Sequence, residues 1–448
     1  MMNPDDSLPD HDGYAGGLAY PAYFHREQTP AWLHASVAAL GHRPPRIDQA
    51  FAWCDLGCGS ALTALVVAAC YRHAQVTAVD IDAAALAQAR ALAHAAGLDN
   101  LQLRQADLSD PHSLAEVAAG GFDYVVSHGL WSWVSPAVQQ VMVRSVAGAL
   151  KPGGVMALAY MSHPGATPLQ GAQRLLHEAG QLARGDAASQ VATAMALLQQ
   201  MAAAGAGYFV EQPGVVRQLQ AMAREPAGYI AHEFMGRHWQ PQHSAEVIAQ
   251  WAAQGCAFIG SATVLENIDA LSVPAAVLPL LQQLPPGPLA ETARDLARNQ
   301  SLRRDLFVQA GQRLDGGGHL QVLDGLCWAR LPAAPASVSE PLLLDTRIGP
   351  VPVPAVLLSP LLQALASGPQ DFARLRQLPA FVQTPGLLNQ ALQVLCWQGW
   401  IHPVPAQVQA TVAAGDSAAC QRLQVLLDAH RAWPALQLLP AMGTAVPA

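Results

Sequence analysis

A short apolar run that ends in an Asp-x-Gly-x-Gly turn, residues 51–59, constrains the fold of this chain more than any other segment. It reads Phe-Ala-Trp-Cys-Asp-Leu-Gly-Cys-Gly, the pattern of a buried strand that leads into a glycine turn with Asp55 at its end. In α/β sheets, such turns present backbone N–H groups to a nucleoside cofactor. A dinucleotide-binding turn has a third glycine where this chain has Leu62. The pattern therefore disfavours a pyrophosphate and predicts a nucleoside cofactor without one.

Four further apolar runs follow this turn and alternate with helical stretches. The second run ends at Asp80, the third at Asp107 and the fourth at Ser127, while the fifth follows a Leu-Lys-Pro-Gly-Gly turn at residues 150–154. Strands and helices that alternate at this rhythm predict a doubly wound, Rossmann-like α/β fold with a parallel sheet. Because such sheets bind ligands at the carboxyl ends of their strands, the polar residues there are candidate cofactor ligands.

The set of strand-end residues resembles the class I S-adenosylmethionine-dependent methyltransferases. The resemblance implies that the first-strand acid and the glycines cradle the methionine part of the cofactor, that the second-strand acid binds ribose, and that the third-strand acid lies against adenine. One departure is Ala61, where the family often has another glycine. The cofactor-binding residues that the resemblance implies are Asp55, Gly57, Gly59, Asp80, Ile81, Asp107, Leu108 and Ser127.

Each of these residues also has an ordinary structural explanation. A single Asp-x-Gly-x-Gly sequence is often only a turn between a strand and a helix. A single Asp after a strand usually caps the next helix, which is the role expected for Asp82 before the helix that begins at Ala83. Three acids at three successive strand ends, in register with the glycines, favour the methyltransferase interpretation.

Four segments outside the core strands form a second pattern: residues 20–30, 127–134, 160–165 and 291–308. Together they resemble bacterial methyltransferases that carry a methyltransferase regulatory domain, a group that includes protein-lysine methyltransferases. The resemblance implies N-methylation of lysine side chains of a protein. A methyltransferase acting on a small molecule and a non-catalytic scaffold that binds the cofactor remain alternatives. The family's Ser-Tyr-Asn at the fifth strand is Ala-Tyr-Met here, which removes a polar neighbour of the target.

Aromatic residues follow the fourth and fifth strands and also stand in the N-terminal segment. A pocket of aromatic rings desolvates a lysine amine, which lowers its pKa, and attracts the cationic form through the ring faces. Packing in the core is the ordinary alternative for each tryptophan. We predict that the substrate contacts are Tyr23, Phe24, Trp131 and Trp133, and that the catalytic residues are His128 and Tyr160.

Composition and charge argue against several other functions. The chain has 448 residues, a net charge of −8 and 12% charged residues. Phosphate binding needs a basic surface, so we expect no nucleic-acid partner. No apolar run reaches membrane-spanning length and the first residues lack signal-peptide character, so we expect a cytoplasmic protein without a membrane span. The seven cysteines form no Cys-x-x-Cys pair and the histidines no His-Glu-x-x-His motif, so we expect no metal site.

The chain divides into five predicted segments, and a helix–glycine–strand pattern at residues 244–259 predicts a sixth strand. The helical insertion could serve as a dimerisation or lid element, so a homodimer is possible, or it could simply cover the sheet. The segments are an N-terminal helical cap (1–48), the S-adenosylmethionine-binding core (49–163), a helical insertion (164–235), the end of the core sheet with a regulatory-domain-like region (236–335), and a smaller α+β, winged-helix-like C-terminal module with a flexible tail (340–448).

Overall fold

The computed structural model describes residues 18–119, 121–405, 417–430 and 433–448. Residues 1–17 of the predicted cap therefore lie outside the described residues. The strands are β1 (Phe51–Leu56), β2 (Ala74–Asp80), β3 (Leu101–Gln105), β4 (Phe122–Ser127), β5 (Leu150–Met161), β6 (Cys256–Ser261), β7 (Leu302–Gln309), β8 (Cys327–Arg330), β9 (Leu342–Thr346), β10 (Gly349–Val353), β11 (Gln370–Asp371), β12 (Ile401–Val404), β13 (Leu436–Leu439) and β14 (Thr444–Pro447).

Helices connect these strands. They are α1 (Pro30–Ala39), α2 (Leu62–Cys70), α3 (Ala83–Ala96), α4 (Pro111–Ala118), α5 (Pro136–Ala149), α6 (Gln170–Leu182), α7 (Ala187–Ala203), α8 (Gly207–Glu211), α9 (Pro213–Met222), α10 (Ala227–Phe234), α11 (Ser244–Ala252), α12 (Asp269–Ser272), α13 (Leu278–Leu281), α14 (Pro288–Arg298), α15 (Gly316–Asp324), α16 (Ala355–Ala366), α17 (Phe372–Leu375), α18 (Pro385–Trp397) and α19 (Ser417–Ala429). None of them, within the described ranges, is long and apolar enough to cross a lipid bilayer.

A seven-stranded sheet forms the centre of the molecule, in the order β3-β2-β1-β4-β5-β7-β6. Strands β1 to β5 are parallel, which confirms the predicted doubly wound arrangement. β6 is the predicted sixth strand. β7 is antiparallel to both β5 and β6, so the prediction of a wholly parallel sheet is wrong at this edge.

Helices cover both faces of the central strands of the sheet. Every residue of β1 is buried, and β4 is buried at five of its six positions, because helices cover both faces of the central strands. One face packs against α2 and α3, and the other packs against α5 and α11. The boundaries of α3 follow from local signals. Asp82 accepts hydrogen bonds from the N–H groups of Ala84 and Ala85, which confirms the predicted N-cap, and Gly97 ends the helix in a left-handed conformation.

The C-terminal residues pack back onto the core. All residues of α2 are buried because α19 and the β13–β14 hairpin cover the side that the sheet leaves open. Leu436, Leu438 and Ala445 of the hairpin belong to the same core cluster as α2. The prediction of a flexible tail is therefore wrong for residues 433–448, while residues 406–416 lie outside the described part of the chain.

Two smaller units flank the sheet. The segment from α6 to α10 buries its own apolar cluster and packs against Trp133 and Met161. At the C-terminal side, α16, β11, α17, α18 and β12 follow one another in the order of a winged-helix-like module. β8 pairs with both β11 and β12, so the sheet of this module also takes a strand from the predicted segment 236–335. The other domain boundaries stay predictions.

Candidate active site

The carboxyl ends of β1, β2 and β4 lie side by side at the centre of the sheet. Asp55 lies one residue before the end of β1 and is paired with Ala78 of β2 and Val126 of β4. Ser127, the last residue of β4, is fully buried, and its hydroxyl donates a hydrogen bond to the Leu56 carbonyl at 3.0 Å. The sheet therefore brings the first-strand acid and the predicted fourth-strand residue to one edge.

The glycine turn after β1 is fixed by the end of β2. The N–H groups of Gly57 and Cys58 both donate to the Val79 carbonyl, and the N–H of Gly59 donates to Asp80 Oδ2 at 2.7 Å. Gly57 and Gly59 have φ values of 75° and 52°, a region that favours glycine. A Cβ on Gly57 would approach Leu130 at 3.2 Å, whereas a Cβ on Gly59 would meet nothing within 4 Å. The turn thus leaves open space beside Gly59.

Two neighbouring carboxyl groups, Asp55 and Asp80, lie at this edge. Asp55 is 5% exposed, and burial together with the charge of Asp80 raises its pKa from 3.8 to about 8. Burial also raises the pKa of Asp80, although hydrogen bonds from the N–H groups of Asp82 and Gly59 oppose this effect. Within the described residues, neither group has an ion-pair partner. A ligand that carries a cation would stabilise both ionised carboxylates, so these residues fit the ammonium and sulfonium groups of S-adenosylmethionine.

The residues at the end of β3 form hydrogen bonds with the end of β2. The N–H of Ala106 donates to the Asp80 carbonyl, and Ile81 accepts a hydrogen bond from Gln105 through its own carbonyl. Asp107 lies two residues beyond β3, and its Oδ1 accepts hydrogen bonds from the N–H and hydroxyl of Ser109. Leu108 is buried. The roles of Ile81, Asp107 and Leu108 toward a cofactor stay predictions.

Ala61, the departure from the family's glycine pattern, lies at the start of α2. Its φ is 55°, in the left-handed region that usually costs a residue with a side chain about 1–2 kcal/mol. Ala61 is fully buried in the core cluster that contains the residues of α2. The core therefore accommodates its methyl group, although the backbone there has the conformation that glycine adopts most easily.

The ribose role predicted for Asp80 leads to a testable expectation. Asp80→Ala removes a carboxylate that accepts a hydrogen bond from the Gly59 N–H and that is predicted to accept hydrogen bonds from the ribose. We expect S-adenosylmethionine binding, measured by titration calorimetry, to weaken at least about tenfold, the usual effect of losing a hydrogen bond to a charged group. Asp345→Asn, at an exposed position of β9, is the matched control. Unchanged affinity in Asp80→Ala would contradict the ribose role.

His128 lies beside a second histidine that the sequence did not single out. The rings of His25 and His128 stack with centroids 4.0 Å apart. The backbone N–H of His25 donates a hydrogen bond to Thr63 Oγ1, and this contact holds the N-terminal segment against α2. Burial lowers the pKa of His25 to about 4 and lowers that of His128 well below its usual value, and the Arg304 charge adds to both shifts. Both rings are therefore neutral at pH 7.

The ring of His128 has an unused polar atom. Its Nε2 is buried and has no hydrogen-bond partner among the described residues. A buried polar atom without a partner costs free energy that a hydrogen-bonding ligand would recover. His128 directly follows Ser127 at the end of β4. Its Nε2 therefore belongs to the same edge as Asp55 and Asp80, which we call the acid pair.

Trp131 and Tyr160 lie in the core of this structure. Trp131 is 0% exposed and packs near Trp251, with ring centroids 6.3 Å apart. Tyr160 is also fully buried, and its hydroxyl donates to Asp305 Oδ2 at 2.6 Å. Their large apolar surfaces are satisfied by packing under the sheet edge. The predictions that Trp131 contacts substrate and that Tyr160 is catalytic are therefore corrected.

Of the other predicted substrate residues, Trp133 packs against the apolar cluster of α6 to α10, and Phe24 packs partly against the core cluster around α2. Tyr23 is 41% exposed and lies beside Tyr20, with ring centroids 5.7 Å apart. Trp133 donates from Nε1 to the backbone carbonyl of Glu233 in α10. The substrate roles of Tyr23, Phe24 and Trp133 stay predictions. Sequence reasoning missed Tyr229 and Glu233, because α10 lies about 200 residues away and carries no motif of its own.

Comparisons with known proteins agree with this geometry. Residues 54–154 match the family model described as a methyltransferase domain, and residues 226–309 match the one described as a predicted methyltransferase regulatory domain. The first match contains the acid pair and the glycine turn. The second contains α10, β6 and β7.

Relatives and solved structures extend the likeness over most of the chain. An uncharacterized protein of Synechocystis sp. is 27% identical over 397 residues, 88% of this chain and 77% of that protein. An uncharacterized protein of Rickettsia prowazekii is 28% identical over 148 residues, 33% of this chain and 57% of that protein. The structure of the protein lysine methyltransferase PKMT2 from Rickettsia typhi in complex with AdoHcy is similar with a TM-score of 0.63 and 17% identity, covering 86% of this chain and 77% of that one. This structural likeness shows the fold.

Proposed function

We propose that this chain, which is an S-adenosylmethionine-dependent methyltransferase with a methyltransferase regulatory domain, N-methylates lysine side chains of a protein. The observation that carries the proposal is a cationic-ligand site, the acid pair Asp55 and Asp80, next to a buried histidine nitrogen to which no described residue donates a hydrogen bond. The similarity of the fold to a protein lysine methyltransferase over 86% of the chain supports it.

The residues of the sheet edge have separate tasks in this proposal. Asp55 binds the positively charged methionine end of the cofactor, the open side of Gly59 gives it room, and Asp80 binds its ribose hydroxyls. When bound, S-adenosylmethionine supplies a sulfonium methyl group, so that the carbon–sulfur bond breaks as the carbon–nitrogen bond forms and the methylated amine loses a proton to water. The protein mainly has to align donor and acceptor, and alignment can lower a barrier by ~7–11 kcal/mol.

The acceptor must arrive as a neutral amine, since a protonated amine has no lone pair. The neutral imidazole of His128 can accept a hydrogen bond from an amine N–H through Nε2, which orients the nitrogen without competing for its lone pair. A desolvated site also lowers the pKa of a lysine amine. In this proposal His128 is therefore an orienting residue.

Incubation with labelled cofactor tests the proposal. The acceptor is the soluble protein of a strain of the source organism that lacks this gene, and heat-denatured enzyme is the control. We expect label in the protein fraction after gel filtration. Label confined to the small-molecule fraction would contradict the proposal and favour a small-molecule acceptor.

A further inference from the structure

A cluster of three tyrosines and a carboxylate lies between the N-terminal segment and α10. Tyr20 stacks on Tyr229 with ring centroids 6.3 Å apart, and its hydroxyl donates to Glu233 Oε1 at 2.6 Å. Tyr23 also lies beside Tyr20, with ring centroids 5.7 Å apart. Among the described residues, no donor reaches the second carboxylate oxygen of Glu233, Oε2. We call Tyr20, Tyr23, Tyr229 and Glu233 the tyrosine–carboxylate cluster.

The cluster is open to solvent at one side. Tyr23 is exposed, and Tyr229 and Glu233 are half-buried. Glu225 is exposed and close enough to add its negative charge to the surroundings of Tyr23 and Tyr229. Aromatic faces and two carboxylates attract an organic cation and repel an anion.

A line of aromatic contacts joins this cluster to the sheet edge. The rings of Tyr23 and His25 have centroids 6.3 Å apart, and His25 stacks on His128 at 4.0 Å. His128 follows the last residue of β4, next to the acid pair. A ligand held by the tyrosine–carboxylate cluster would therefore have a short path to the methyl-donor site.

We propose that the tyrosine–carboxylate cluster binds the side chain of the acceptor lysine, so that the regulatory domain supplies one wall of the acceptor pocket through α10. This inference rests on the proposed function. The faces of Tyr20, Tyr23 and Tyr229 contact the incoming lysine as an ammonium ion, and Glu233 Oε2 accepts one of its hydrogen bonds. The lysine then loses a proton to water and moves past His25 to His128, where the neutral amine reacts. Such a site matches an amine that carries a long apolar stem, which is the chemistry of lysine.

Two variants of Tyr229 separate recognition from folding. The hydroxyl of Tyr229 makes no hydrogen bond within the described residues, so Tyr229→Phe keeps the ring face, whereas Tyr229→Leu removes it. The measured quantity is the initial rate of ε-N-methyllysine formation, by mass spectrometry, on the soluble protein described above at limiting concentration. We expect about a tenfold lower rate for Tyr229→Leu and a clearly smaller loss for Tyr229→Phe, because phenylalanine keeps the ring face.

The carboxylate has its own matched pair. Glu233→Gln is expected to slow methyllysine formation about tenfold, while Glu211→Gln, at an exposed position of α8, is expected to leave it unchanged. Calorimetry should show the same S-adenosylmethionine affinity in all four variants, because the cluster does not hold the cofactor. A merely structural role of Glu233 would instead weaken cofactor binding as well.

The outcomes distinguish this inference from the proposed function. If wild type forms methyllysine and both Tyr229→Leu and Glu233→Gln do so at the wild-type rate, the pocket is wrong and the function stands. If wild type labels protein at a residue other than lysine, or labels none, the proposed function fails and the pocket assignment fails with it.

Discussion

Replacing Asp55 with asparagine should weaken S-adenosylmethionine binding about a hundredfold and, at the same time, stabilise the ligand-free protein above pH 7. The loss of affinity follows from removing the buried carboxylate that would face the cofactor's cation, since hydrogen bonds to charged groups contribute about 1.5–3 kcal/mol. Asparagine keeps the shape of the side chain. Titration calorimetry measures the affinity.

The stability effect follows from the pKa of Asp55. Folding raises that pKa from 3.8 to about 8, so between pH 4 and pH 8 the folded state keeps a proton that the unfolded state has lost. The free energy of unfolding therefore falls as pH rises through this window, and the stabilising effect is fully present only below pH 4. An asparagine side chain cannot titrate, so Asp55→Asn should lack this part of the pH dependence.

Urea unfolding of the ligand-free protein at pH 5 and pH 8 measures this difference. The fall in the free energy of unfolding should be smaller in Asp55→Asn than in wild type, and Asp345→Asn, exposed on β9, should behave as wild type. Parallel pH profiles in wild type and Asp55→Asn would show that Asp55 is not the buried acid described here. Unchanged cofactor affinity would remove it from the cofactor site.

Replacing Arg303 with methionine should destabilise the protein by about 3–5 kcal/mol, the usual cost of leaving buried charges without a partner. The Arg303 side chain is 4% exposed and contacts three carboxylates: Asp305 at 2.8 Å, Asp295 at 2.5 Å and Glu291 at 2.9 Å. Tyr160 donates to the second oxygen of Asp305. Methionine fills much of the volume and supplies no donor, so three acids would face one another in the interior.

The charged residues of this network all lie in the segment that matches the regulatory-domain model, residues 226–309. Asp305 and Arg303 belong to β7, Glu291 and Asp295 belong to α14, and Tyr160 belongs to β5. The ionic contacts therefore hold α14 against β7, and the Tyr160 hydroxyl together with the β5–β7 pairing joins this segment to the rest of the sheet.

Urea unfolding of the full chain measures the effect of Arg303→Met. Arg174→Met is the matched control, because Arg174 forms an exposed ion pair with Glu178, and such pairs contribute about 0.2–1 kcal/mol. A loss below about 1 kcal/mol in Arg303→Met would contradict the description of Arg303 as the buried partner of three carboxylates.

The sequence predicted the cofactor edge because that edge is built from local patterns. Asp55, Asp80 and Asp107 each lie at or just beyond the carboxyl end of a strand, and the register of parallel strands brings these ends together. The orientation of a side chain after a strand is not local. Trp131 lies just beyond β4 and Tyr160 lies near the end of β5, yet both rings turn into the core, because that is where their apolar surface is covered.

Other features depend on partners distant in sequence. The first half of β7 contains the charged residues Arg303, Arg304 and Asp305, so no apolar run reveals the strand. Arg303 can be buried because it forms ion pairs with Glu291 and Asp295 of α14 and with Asp305. The role of α19 and of the last hairpin depends on the uncovered side of α2, about 350 residues earlier. Tyr229 and Glu233 likewise become part of a site only through Tyr20.

Amino-acid analysis of labelled protein tests lysine methylation most directly. Wild type and Asp55→Asn are incubated with methyl-labelled S-adenosylmethionine and the soluble protein of a strain that lacks this gene, and the protein fraction is hydrolysed. We expect labelled ε-N-methyllysine with wild type and at most a trace with Asp55→Asn. Label in another amino acid, or equal methyllysine from both enzymes, would contradict this account of the enzyme.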